Sequence, residues 1–192
     1  MKFVLLLGPQ AVGKMTIGQE IERLTEMKVF HNHQTIDLLL PYFDFSEPAH
    51  HRLKDTIRRE MFKEMANSSL EGVLFTFLCL FGVEGGGLEF IEETVELFEQ
   101  AGADVYIVEL DAPVATRLHR NTTENRLTHK VTKRDLAASE QDLRETADGY
   151  RTRSLPGELP DVNYLFLDTE QLSARESAEA ICAHFNWSKA TV

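Results

Sequence analysis

The sequence predicts an α/β fold, a parallel sheet covered by helices on both faces. Three observations lead there. The apolar run Phe3-Val4-Leu5-Leu6-Leu7 feeds a glycine-framed loop, Gly8 to Thr16, and a helical pattern follows to Met27. Val73-Leu74-Phe75-Thr76-Phe77-Leu78 is apolar on both faces, as a central parallel strand requires. Strand-like runs then alternate with helix-like ones along the chain, which is how a parallel sheet with crossover helices reads. At 192 residues, with 43% hydrophobic and 27% charged side chains, residues 1–192 fit a single well-cored domain rather than a disordered chain.

The elements follow in order. After the first strand and helix, Lys28-Val29-Phe30 is a short strand ending in His31-Asn32-His33. Gln34 to Tyr42 has helical spacing and is closed by Pro41. A loop of aromatics, Tyr42-Phe43-Asp44-Phe45, leads to Ser46-Glu47-Pro48, with Ser46 as the expected N-cap. The helix from there to about Ser68 places Leu53, Ile57, Met61 and Met65 at i, i+4. The third strand begins at Val73. Leu88 to Ala101 is an amphipathic helix closed by Gly102, and Val105 to Leu110 is the fourth strand. Asp111-Ala112-Pro113 is the expected cap of a helix carrying Arg117 and Arg120. A helix from about Arg134 to Tyr150, a strand from Tyr164 to Leu167 and a helix from about Ala174 to Phe185 complete the chain.

Charge and cysteine usage exclude several classes. The formal charge of −11 argues against nonspecific binding to nucleic acid or to an anionic membrane. The longest apolar run, Val73 to Phe81, is half a membrane span at most. Cys79 and Cys182 lie in apolar patterns without metal spacing, and read as reduced core thiols of a cytoplasmic protein.

Strand, glycine-framed loop with a terminal Gly-Lys, then helix is the phosphate-cradling P-loop arrangement. Gly8 and Gly13 let the backbone turn tightly, so that the N–H groups of Gln10, Ala11, Val12 and Gly13 converge on one concavity. The positive end of the helix dipole adds to the field there, and Lys14 supplies a mobile charge to the outer phosphates. A nucleoside triphosphate is the implied ligand. The second signal is a local reversal of charge: Arg117, Arg120, Arg126, Lys130, Lys133 and Arg134 occur with one acid, Glu124. Such a stretch, following the P-loop and the fourth strand, fits a lid whose arginines close over the phosphates.

With these features in this order, and with Asp168-Thr169 closing the last strand, the chain resembles the adenylate-kinase-like group of P-loop small-molecule kinases, and shikimate kinases most. The resemblance implies a three-layer P-loop kinase fold with a five-stranded parallel sheet in the order 2-3-1-4-5. It also implies an acceptor-binding arm over about 34–67 and a basic lid over about 121–133. Lys14 matches the phosphate-binding lysine, and Arg117 or Arg120 together with Arg126 match the lid arginines. Arg58, in Ile57-Arg58-Arg59-Glu60, resembles the arginine that holds an anionic acceptor. ATP and Mg²⁺ are the implied phosphoryl donor and metal, and a small-molecule acceptor the partner.

The sequence departs from that pattern in three places. Met15 stands where a hydroxyl should ligate Mg²⁺, leaving Thr16 as the adjacent hydroxyl candidate. His31 and His33 replace the two aspartates at the end of the second strand. An imidazole there can position an acceptor hydroxyl or take its proton, with Asp37 as a carboxylate in reserve. Thr76 and Phe77 stand where a strand-end acid would hold the metal through water; Glu84, beyond Phe81-Gly82, and Asp37, on the short helix after His33, are the candidate acids. The implied function is transfer of the γ-phosphoryl group of ATP to a hydroxyl of a small molecule. A nucleotide-binding switch without efficient transfer is the alternative that Met15 and the missing strand-end acid favour.

Overall fold

A computed structural model of the chain describes residues 1–123 and 135–187. Its five strands form one parallel sheet in the order β2-β3-β1-β4-β5, as the resemblance implied. The strands are β1 (Lys2–Leu7), β2 (Lys28–His31), β3 (Gly72–Thr76), β4 (Asp104–Asp111) and β5 (Asn163–Asp168). The helices are α1 (Lys14–Leu24), α2 (His33–Leu39), α3 (Pro48–Ala66), α4 (Leu88–Gln100), α5 (Val114–Asn121), α6 (Leu136–Gly149) and α7 (Ala174–His184).

β1 is buried from Phe3 to Leu7 because it lies between β3 and β4. Alternation along the strand sends Phe3, Leu5 and Leu7 to one face, and Val4 and Leu6 to the other. The first face packs against α3 and α4 through Phe62, Ile91, Val95 and Phe98. The second packs against α1 and α7 through Ile17, Ile21, Ala178 and Ile181. Burial on both sides explains why β1 and β3 read as continuous apolar runs. Phe62 is the hub of the first core, with its ring centroid 5.0 Å from Phe75, 5.8 Å from Phe98 and 5.9 Å from Phe3. Cys79 and Cys182 are buried free thiols. No helix among the described residues is long and apolar enough to cross a membrane.

Three local expectations are corrected. The N-cap of α3 is Glu47, one residue after Ser46, because Pro48 occupies the first helical position. The Glu47 carboxylate accepts from the Asp44 N–H at 2.6 Å. The buried line of α3 runs through His50, Arg58, Phe62 and Ala66, while Met61 is exposed. The Phe62 ring, with more apolar area to bury than a methionine, sets the rotation of the helix. Asp111 is not the cap of α5: its side chain accepts from the neighbouring Ala112 N–H at 2.8 Å, and Pro113 precedes the first turn.

The register aligns the carboxyl ends of the strands. His31 lies beside Thr76, Thr76 beside Leu6, and Asp111 beside Asp168. The loops after β1, β2, β3 and β5 therefore open onto one edge of the sheet, where ligands of open parallel sheets bind.

Candidate functional site

A cavity of about 770 Å³ opens at that edge. One wall is the P-loop and the first turn of α1, from Gln10 to Ile17. Gly8 allows the loop to leave β1 where it does: it has a φ of +138°, and a Cβ there would stand 2.3 Å from the Leu110 carbonyl oxygen. Ala11 and Gly13 also have positive φ, +60° and +113°, which turns successive backbone groups into the same concavity. Gly13 is the N-cap of α1 and makes no side-chain cap, so the helix N-terminus faces the loop. Lys14, the first helical residue, donates from Nζ to the Gly8 carbonyl and, at 2.8 Å, to the Pro9 carbonyl.

The opposite rim of the P-loop is tied to distant elements. Arg120 borders the cavity with its guanidinium held by acceptors. Nη1 donates to Thr169 Oγ1 at 2.9 Å and to the Val12 carbonyl at 3.1 Å; Nη2 donates to the Thr169 carbonyl at 2.6 Å. This joins the P-loop to the turn between β5 and α7. Gln10 Nε2 donates to Thr146 Oγ1 at 2.8 Å, which joins the loop to α6. Asp142, one turn earlier on α6, also borders the cavity.

The second side is built on the turn after β2. Asn32 is the N-cap of α2, and its N–H donates to Thr76 Oγ1 at 3.2 Å, fixing the ends of β2 and β3 together. His33 and Asn32 line the cavity with Ile36, Phe45, Thr76 and Leu78. His33 Nδ1 lies 3.8 Å from Asp37 Oδ1, one helical turn along α2, and both side chains are largely covered. Arg58 supports this turn from beneath. It is 3% exposed, and donates to Thr35 Oγ1 at 2.8 Å, to the Asn32 carbonyl at 3.0 Å and to Asn32 Oδ1. Burial lowers its pKa to about 10, and its guanidinium lies 5.7 Å over the Phe75 ring.

The structure thus brings together Gln10, Ala11, Val12, Gly13, Lys14, Met15, Thr16, His33 and Arg120, with Asp37 behind His33. Three expected site residues are elsewhere. Arg117 is buried and donates from Nε to the Ala112 carbonyl at 3.1 Å; burial lowers its pKa. It lies on α5 three residues before Arg120 and faces into the protein. His31 is outside the cavity wall, its backbone N–H donating to Gln34 Oε1 at 2.8 Å. Arg58 points under the β2 turn because it falls on the buried line of α3, and it borders a second, smaller hollow between α3 and α4. Arg126, and the lid from residue 124 to 133, lie outside the described residues.

The concavity, its glycines and the helix N-terminus fit a triphosphate. The fit to a protein-held Mg²⁺ is poor. Met15 is 5% exposed and offers a thioether at the hydroxyl position, and no three His, Cys, Asp or Glu side chains group as metal ligands among the described residues. Asp142 and Thr146 carry no sequence motif and are recruited from far along the chain, whereas Thr169 belongs to the Asp168-Thr169 end of the last strand.

No protein-family model matches the sequence, and no curated protein matches it. Solved structures do match along nearly the whole chain. A sugar kinase from Janibacter sp. HTCC2649 has 13% identity, with 97% of this chain and 95% of that one covered and a TM-score of 0.59. The shikimate kinase of Acinetobacter baumannii, solved with shikimate, has 21% identity, coverage of 96% and 92%, and a TM-score of 0.58. The APS kinase of Mycobacterium tuberculosis, solved with AMPPNP and APS, has 15% identity, coverage of 96% and 97%, and a TM-score of 0.55. The fold is that of the P-loop small-molecule kinases.

Proposed function

We propose that this protein transfers the γ-phosphoryl group of ATP to a hydroxyl of a small molecule. The observation that carries the reading is the pairing, across one cavity, of the P-loop with Lys14 and the covered His33–Asp37 pair. Lys14 and the loop N–H groups hold the β- and γ-phosphates. The acceptor lies against Asn32, His33 and Thr76. Its oxygen attacks the γ-phosphorus in line as the bond to the β,γ-bridging oxygen breaks, giving the phosphate ester and ADP. The hydroxyl proton passes to His33. Asp37, 3.8 Å from Nδ1, stabilises by its charge the imidazolium that forms. Arg120 keeps the P-loop and the β5–α7 turn in one arrangement. Mg²⁺, typical of such kinases, would take its oxygen ligands mainly from the nucleotide and would neutralise charge on the phosphates.

The test is ADP release across a panel of hydroxyl compounds, with nucleotide binding measured in parallel. The proposal expects at least one compound to raise ADP release well above the hydrolysis background and to leave as a phosphate monoester. ATP binding without transfer to any compound in a broad panel would contradict it and favour the nucleotide switch.

A further inference from the structure

Asn32, the residue before His33, is bonded from three elements. Its N–H donates to Thr76 Oγ1 at 3.2 Å, and its carbonyl accepts from Thr35 Oγ1 at 3.1 Å and from Arg58 Nη2 at 3.0 Å. Its side chain is held too, since Arg58 Nη2 also donates to Asn32 Oδ1. Arg58 is fixed in turn: it is buried, its Nε donates to Thr35 Oγ1 at 2.8 Å, and its guanidinium lies over the Phe75 ring. β3, α2 and α3 therefore set the place of one asparagine at the wall of the cavity.

Two features of this arrangement point to a ligand. Asn32 is the N-cap of α2, where an asparagine ordinarily turns its side-chain oxygen back to the first N–H groups of the helix. It makes no such bond here, because Arg58 takes that oxygen. The second feature is the direction in which the amide faces. A guanidinium has donors only, so the atom that meets it is the oxygen, and the nitrogen is turned away. Asn32 Nδ2 meets no acceptor among the described residues, and it is not one of the buried polar atoms left without a partner. It is an open donor of fixed direction, on a residue that borders the cavity beside His33.

We infer that the Asn32 side-chain NH₂ is a substrate-binding donor, aimed by Arg58, that holds a second oxygen of the acceptor while His33 meets the hydroxyl that reacts. The inference rests on the phosphotransfer reading of the site and deepens it: an acceptor held by this grip carries at least two oxygens. Two successive residues then divide the work, one gripping the molecule and one taking its proton. A hydrogen bond is directional, so the grip sets which hydroxyl stands at His33. Arg58 is a positioning residue, acting through the amide that it orients.

The Asn32 side-chain amide is followed directly by ¹⁵N–¹H NMR, its pair of signals being assigned by their loss in Asn32→Asp. Xylitol, glucose, shikimate and uridine are the probes, added with AMPPNP present, and pentan-1-ol is the single-oxygen control. At least one probe is expected to move the Asn32 signals beyond any change from AMPPNP alone, and pentan-1-ol is expected not to. Asn32→Asp keeps the size of the side chain and an oxygen for Arg58, but removes the donor. It is expected to leave ATP affinity unchanged and to weaken binding of that probe about tenfold or more, as loss of a donated hydrogen bond does. Arg58→Met is expected to bring the Asn32 signals toward those of a free asparagine amide and to blunt their response to the probe. If that variant fails to fold, Asn32→Asp still carries the test. No probe moving the Asn32 signals, pentan-1-ol moving them as far as xylitol does, or wild-type probe binding by Asn32→Asp would each overturn the inference. So would the full shift with AMPPNP alone, which would give the donor to a γ-phosphoryl oxygen. Wild-type Asn32 signals in Arg58→Met would overturn the part assigned to Arg58. Asn32-dependent binding of a probe that ATP does not phosphorylate, read by ³¹P NMR, would uphold the grip and contradict the phosphotransfer reading.

Discussion

Lys14 bonds to the carbonyls of Gly8 and Pro9, holding a charge inside the loop that a triphosphate can take over without rebuilding the backbone. Lys14→Ala is expected to weaken ATP binding by about 10²-fold, because charge-assisted hydrogen bonds contribute about 1.5–3 kcal/mol each. Calorimetric titration measures this, and an unchanged affinity would remove the lysine from the site. Met15 makes a different prediction. Met15→Ser restores an oxygen at the usual metal position, so ATP should bind more tightly with Mg²⁺ than with a chelator, by a margin larger than in the wild type. Equal metal dependence in the two proteins would show that position 15 does not face the ion. At this scale the P-loop was legible, since only glycine tolerates the 2.3 Å approach at Gly8 and the motif records that demand. Which of two arginines reaches the cavity was not. Arg117 and Arg120 have the same chemistry on one helix, and the packing of α5, which the local sequence does not state, buries one and brings the other to the wall.

The elements show where periodicity informs and where it misleads. α3 carries two candidate i, i+4 lines, one residue apart. The line with four conventional hydrophobes, Leu53, Ile57, Met61 and Met65, reads as the core face, yet Phe62 takes the centre and Arg58 is buried with it. The difference is measurable. Phe62→Ala should cost about 3–5 kcal/mol in urea denaturation, the range for emptying a packed aromatic site. Met61→Ala, at an exposed position, should stay within about 0.5 kcal/mol. Similar losses in both variants would put the wrong face of α3 against the sheet. A buried arginine is invisible to a hydrophobic-pattern reading. Its partners, Asn32 and Thr35, lie 26 and 23 residues away, on the turn that it holds.

Over the whole molecule, two apolar cores sandwich a sheet whose strand ends are in register, and the cavity exists because of that alignment. Strand identity and alternation were legible from β1 and β3, which are apolar on both faces; strand order came from resemblance. The ties that close the cavity were not legible. Gln10 reaches Thr146 across 136 residues and Arg120 reaches Thr169 across 49, and neither pair leaves a local pattern. Core integrity has its own probe in the two buried thiols. Burial raises the pKa of Cys79 to about 12 and also raises that of Cys182. The thiolate is the reactive form, so the native protein should resist alkylation at pH 8, and Cys79 should gain reactivity only as the pH climbs toward about 12. Two thiols should react at once in denaturant; fast labelling of the native protein at pH 8 would mean that the cores are open. The central claim is that the P-loop side and the His33 side act across one cavity. It is tested most directly by single-turnover phosphoryl transfer from ATP to an acceptor found in the panel, with His33→Ala beside the wild type. The predicted result is a loss of about 10²–10⁴ in the transfer rate, the usual contribution of a positioned general base, with ATP affinity within about twofold of the wild type. A variant that transfers at the wild-type rate would contradict it.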